Sequence, residues 1–138
     1  MEKIIWTEEY SVGIQEIDEQ HKHFFGIVNS VLDLTGETPT KEEIFEVLEK
    51  LGDYAFYHFS TEERFFDKFH YPSAVGHIAA HNQYRETIKK YFDEIRSEGA
   101  DVPELARKIA LSSGNWLIGH ILEVDRKYTI YFHEQGLK

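Results

Sequence analysis

Residues 44–69 read IFEVLEKLGDYAFYHFSTEERFFDKF. The apolar positions Ile44, Val47/Leu48, Leu51, Tyr54/Ala55, Phe65/Phe66 and Phe69 recur at spacings of three and four, the period of an amphipathic α-helix. His58 and Glu62 fall on the same stripe. Four residues apart on a helix, they lie one above the other on the face turned to the core. A carboxylate there is costly without a positive partner. A metal ion would supply that partner.

The chain reads outward from this helix as more of the same. Thr40-Lys41-Glu42-Glu43 has the form of a capping box, and Pro72 after Tyr71 stops the helix at about residue 69. Ser73 can cap a third helix, about 74–98, whose stripe is His77, His81, Tyr84, Ile88, Tyr91/Phe92 and Ile95 before Gly99. Asp101-Val102-Pro103-Glu104 opens a fourth, about 102–126, with Leu105, Ile109, Ser113, Trp116/Leu117, His120 and Val124. Upstream, the loop Thr35-Gly36-Glu37-Thr38-Pro39 follows a first helix, about 18–34. Asp18 is its expected N-cap, and Phe24/Phe25, Val28 and Val31/Leu32 form its stripe, with His21 one turn earlier. Residues 1–17 show no helical period, so an N-terminal arm anchored by Trp6, Tyr10, Val12 and Ile14 is expected. Residues after Asp125, including Tyr128, Tyr131 and Phe132, read as a short tail or helix end. Four helices with short connections predict one all-α domain over residues 1–138, an up-down-up-down antiparallel four-helix bundle. An irregular orthogonal array fits such even lengths less well.

Composition excludes several classes. At 41% hydrophobic and 29% charged, the 138-residue chain suits a soluble globular protein. A formal charge of -10, with no basic cluster, argues against nucleic acid or anionic membrane as partners. Without cysteine there is no disulfide, thiolate metal site or iron–sulfur cluster. No apolar run approaches the roughly 18 residues of a membrane span. The start, Met1-Glu2-Lys3-Ile4-Ile5-Trp6, lacks a signal-peptide layout, so a cytoplasmic location is expected.

Five of the eight histidines, His21, His58, His77, His81 and His120, sit on core stripes, at least one on every helix. A single histidine on an apolar face is most simply a hydrogen-bonded core residue. Five of them need more polar partners than these stripes offer. His23, His70 and His133 lie off the stripes and are expected at the surface. His77-Ile78-Ala79-Ala80-His81 lacks the glutamate that a zinc-protease helix places after its first histidine. Ferritin-like di-iron sites use more buried glutamate and less histidine. A haem would employ at most two of the five.

Several pieces, in order, resemble the hemerythrin family, its bacterial single-domain members in particular. They are Tyr10-Ser11-Val12-Gly13-Ile14 through Ile17-Asp18-Glu19-Gln20-His21-Lys22, His58-Phe59 with Glu62-Glu63, and His77-x-x-x-His81. Trp116-Leu117-Ile118-Gly119-His120-Ile121 with Asp125 and Tyr128 completes the set. The fold expectation is not independent of this, since a family member, myohemerythrin, is an up-down bundle. The resemblance implies a non-haem di-iron site. His77, His81 and His120 would bind one iron, His21 and His58 the other, and Glu62 and Asp125 would bridge them beside an oxo or hydroxo group. Two octahedral irons then retain one open position, on the side with two histidines. Family chemistry makes dioxygen its ligand.

Phe24, Phe25, Phe59, Trp116, Leu117 and Ile121 are candidates to line that open side. They carry no acid or base to cleave an O–O bond, which argues for binding over turnover. Oxygen storage, delivery or sensing is therefore expected. The alternatives are a di-iron enzyme acting on peroxide or nitric oxide, an oxygen or redox sensor module, and a structural zinc or manganese site. Ideal helix geometry brings Glu123 nearer the stripe than Asp125. Following the resemblance, a π-bulge is expected to bring Asp125 under His120. Glu63 is expected to face away from the metals.

Overall fold

The protein is described by a computed structural model covering residues 3–138. Four long helices, α1 Gln15–Thr35, α2 Lys41–Lys68, α3 Ala74–Arg96 and α4 Val102–Glu123, are followed by a short α5, Thr129–Glu134. No strand occurs among the described residues. The links 36–40, 69–73 and 97–101 are five residues each, too short for anything but antiparallel neighbours. α1 packs on α2 and α4, and α3 packs on the same two, closing the four-helix bundle. No helix among the described residues is long and apolar enough to cross a membrane.

The ends of α2 are fixed by local chemistry. Thr40 Oγ1 accepts from Glu43 N, and Glu43 Oε1 accepts from Thr40 N, both at 3.1 Å. At the other end His70 takes a left-handed φ of 53°. Tyr71 N then donates to Phe66 O at 3.0 Å, a Schellman-type stop reached two residues before Pro72. His70 is thus exposed, as expected, and also carries this turn. α4 begins with Asp101 accepting from Glu104 N at 3.2 Å. Ser73 precedes α3 but makes no side-chain cap bond.

Asp18 does not cap α1, which starts at Gln15. Its carboxylate instead accepts from Ser11 Oγ at 2.6 Å and Val12 N at 2.8 Å, pinning the arm to the first turn. Val12 and Ile14 are buried, whereas Trp6 and Tyr10 are half-buried. The arm also meets the C-terminal tail. Thr129 Oγ1 donates to Val12 O at 2.6 Å, and His133 Nε2 reaches Gly13 O at 2.7 Å. Gly13 has a φ of 73°, and a Cβ there would stand 3.0 Å from the His133 ring. His133 is half-buried and structural rather than free at the surface. The tail, too, is more than a helix end, because Tyr128 and Phe132 are fully buried.

Antiparallel order brings the N-terminal halves of α1 and α3 and the C-terminal halves of α2 and α4 to one end of the bundle. All five stripe histidines lie in those halves. The opposite end is apolar, with Val28, Ile44, Leu48, Leu51, Ile88, Leu105 and Ile109 buried. Burying each such side chain contributes about 1.5–3 kcal/mol. Gly52 lets α2 and α3 approach there, since a Cβ on it would meet Ile88 Cγ2 at 3.3 Å.

Candidate metal centre

His21, His58, Glu62, His77, His81, His120 and Asp125 converge between the four helices, and none is more than 5% exposed. Their donor atoms form two overlapping groups. One is Glu62, His77, His81, His120 and Asp125; the other is His21, His58, Glu62 and Asp125; within each, all donors lie within 4.8 Å of one another. Both carboxylates belong to both groups.

Asp125 presents its two oxygens to different sides. Oδ1 is 2.9 Å from His77 Nε2 and 3.0 Å from His120 Nε2, and Oδ2 is 3.0 Å from His21 Nε2. Glu62 Oε1 stands 3.2 Å from both His58 Nε2 and His81 Nε2. These short separations are not hydrogen bonds: Nε2 of His77, His81 and His120, Glu62 Oε1 and both Asp125 oxygens are buried without a hydrogen-bond partner. Such atoms are expensive to leave unsatisfied. Nitrogen and oxygen ligands bind transition-metal cations at about 2.0–2.2 Å, so two of them at right angles on one ion stand about 3 Å apart. The donor spacing therefore fits two cations, one per group.

The charges fit as well. Burial pushes the Asp125 carboxyl up, but His120, His21 and His77 outweigh it and hold it well below the usual carboxylate range. At Glu62, burial and the Asp125 charge push upward, and the imidazoles of His58 and His81 win, leaving it low. Burial also drives His21 toward its neutral form, the one that binds metal. At His120 burial pulls the same way, but the Asp125 carboxylate raises it overall.

A second ring of contacts orients the donors. His58 Nδ1 is 2.7 Å from Gln20 Oε1, and His81 Nδ1 is 2.7 Å from Glu63 Oε2. With Nδ1–H held outward, each Nε2 lone pair faces the centre. Tyr128 donates to Glu62 Oε2 at 2.5 Å. None of these three roles is legible from spacing on the stripes. Glu63 does point away from the metal positions, but it grips His81 from outside. For Tyr128 the available signal was its place three residues after Asp125.

Asp125 is fully buried and Glu123 exposed. No π-bulge achieves this. Instead α4 ends at Glu123, and a 3₁₀ turn over Asp125–Tyr128 swings both side chains inward. The six apolar candidates divide. Phe24 stands edge-on to His58 at 6.3 Å, on the two-histidine side. Trp116 stacks on His120 at 4.4 Å and so backs the three-histidine side, whereas Phe59 stacks on His81 at 4.1 Å and also lies 5.9 Å from His58, between the two sides. Phe25 meets Tyr10 of the arm at 5.3 Å. Leu117 and Ile121 are buried on α4. His23 is exposed, against Tyr54.

Comparison with known proteins agrees with this arrangement. The family model described as "Hemerythrin HHE cation binding domain" matches residues 12–129. The chain is 30% identical over 129 residues to a bacteriohemerythrin of Methylococcus capsulatus, covering 93% of this chain and 95% of the relative. It is 26% identical over 127 residues to one of Clostridium acetobutylicum, covering 90% and 97% respectively. A myohemerythrin of Theromyzon tessulatum is 29% identical over 123 residues, covering 89% and 88%. A crystal structure of wild-type hemerythrin superposes with a TM-score of 0.80 at 28% identity, covering 92% of this chain and 95% of that one. With the match running from Val12 to Thr129 and enclosing every donor of the centre, this chain belongs to the hemerythrin family.

Proposed function

We infer that the chain binds dioxygen reversibly at two iron ions held between its helices, in the service of storage, delivery or sensing. The observation that carries this is the pair of overlapping donor groups with unequal imidazole counts and shared carboxylates. In this assignment His77, His81 and His120 hold one iron and His21 and His58 the other, with Glu62 and Asp125 between them. A ferrous pair there would supply one electron from each ion to the bound gas. The two-histidine side is one imidazole short, and a small ligand would bind the iron held there.

The surrounding residues favour holding over cleavage. Phe24 walls the two-histidine side, and Leu117 and Ile121 complete the proposed apolar lining that keeps water out. Tyr128 donates to Glu62, and burial, reinforced by the Glu62 and Asp125 charges, pushes its own hydroxyl well above the usual range. It is therefore a fixed donor and a poor acid at neutral pH.

The test is to purify the full chain, quantify iron, and record spectra while alternating oxygen and nitrogen. Two irons per chain and a reversible charge-transfer band are expected. Iron well below that, or steady turnover of peroxide or nitric oxide far above autoxidation, would defeat the reading. His58→Ala should abolish the band; a normal spectrum in that variant would break the ligand assignment.

A further inference from the structure

The two orienting contacts on the histidines differ in charge. His58 Nδ1 donates to a neutral carboxamide. Its orientation is fixed because Gln20 Nε2 donates to Thr61 Oγ1 at 3.2 Å, while the Thr61 hydroxyl donates to Tyr57 O at 3.2 Å. His81 Nδ1 donates to a carboxylate. Glu63 follows Glu62 by one residue, so its side chain leaves the interior and reaches α3 from the outside, a quarter exposed. Arg85, one turn beyond His81 on α3, takes both oxygens of that carboxylate. Nη1 donates to Oε2 at 3.0 Å and Nη2 to Oε1 at 3.2 Å, and Nη1 also reaches Asn82 Oδ1 at 2.9 Å. The guanidinium lies 5.2 Å over Phe59, which itself stacks on His81.

An anion that accepts Nδ1–H pushes electron density through the imidazole and makes Nε2 a stronger donor. A carboxamide does so far less. A cation clamped on the anion draws part of that density back. We propose that Glu63 and Arg85 are a positioning pair that sets the donor strength of His81 and makes the three-histidine metal position the more readily oxidised of the two. The proposal rests on the di-iron reading above. Its consequence is that the centre is electronically lopsided by design of the second ring as well as by ligand count, with Arg85 as the adjustable element near the surface.

The test uses the full iron-loaded chain and measures iron stoichiometry, thermal stability and midpoint potential. Glu63→Gln keeps an acceptor of the same size but removes the charge. The ferric form should become about tenfold less favoured, an upward shift of about 59 mV for a one-electron step. Arg85→Leu leaves the Glu63 charge uncompensated and should shift the potential downward. Gln20→Glu, which puts an anion behind His58, should also shift it downward. Opposite signs for Glu63→Gln and Arg85→Leu would support the proposal, because a merely structural lesion moves both the same way. Shifts of equal sign, or none, in variants that still carry two irons would overturn it and leave the dioxygen reading standing. A wild-type chain that takes up no iron would overturn both.

Discussion

Replacing Tyr128 with phenylalanine removes one oxygen from the middle of the protein and nothing else. The ring is fully buried, near-parallel to His77 at 5.6 Å and against Phe132 at 4.8 Å, so its packing survives the change. What is lost is the 2.5 Å bond to Glu62 Oε2. Hydrogen bonds to charged groups contribute about 1.5–3 kcal/mol, and the upper end applies when the abandoned oxygen is buried. In the metal-free protein only the His58 and His81 imidazoles offset the carboxylate, so Tyr128→Phe should cost about 2–3 kcal/mol. With iron bound, Glu62 is neutralised by the metal and the cost should fall to about 1 kcal/mol. The assay is urea unfolding of both forms of both proteins, read by far-UV circular dichroism, with the slope unchanged between wild type and variant. A loss equal in the two forms, or larger with iron, would refute the argument that hydroxyl and metal compensate the same charge.

Other perturbations probe the frame. Thr40→Ala removes the reciprocal cap of α2 and should cost about 1 kcal/mol in chemical denaturation, leaving iron content unchanged. Gly13→Ala forces a Cβ into a left-handed backbone beside His133 and should cost about 1–2 kcal/mol, with faster proteolysis of the arm. Burial pushes the Tyr54 hydroxyl up to about 12 and raises Tyr84 further, against an ordinary 10.0. Their contribution to stability is complete below pH 10, where the unfolded phenols are still protonated, and is lost as pH climbs through the folded values. Stability should therefore fall from about pH 10 upward, and difference absorbance should show Tyr84 ionising only with unfolding.

The bundle was legible because its helices announce themselves twice, by stripe and by cap. Thr40 with Glu43 and Asp101 with Glu104 cap as their spacing predicts. Where side chains serve a neighbouring segment, local rules misread them. Asp18 looks like a cap because capping residues are short acceptors, yet the hydroxyl and the amide it serves belong to the arm. Asp125 came only from the family resemblance, whereas the five histidines and Glu62 could be placed together because residues on one helix face must meet in a bundle. Their outer partners could not, since Gln20 and Glu63 sit off the stripes and reach across helix seams that no single periodicity describes. Asp125 shows the limit of an ideal helix, as its position depends on where α4 stops. Which histidine Phe59 and Trp116 stack on was not legible, because stacking direction is a property of rotamers.

The bundle keeps its five core histidines at one end and a largely apolar core at the other, and this separates assembly from loading. A zinc finger has no fold to wait in without its metal. Here Ile44, Leu48, Leu51, Ile88 and Ile109 can lock their half whether or not iron is at hand. The iron-free chain would then be a cup whose floor is set by that half, closed on one side by the arm and the tail clasped through Gly13 and His133. Iron scarcity would leave a population of waiting receptacles instead of unfolded chains, and restored supply would fill them without new synthesis.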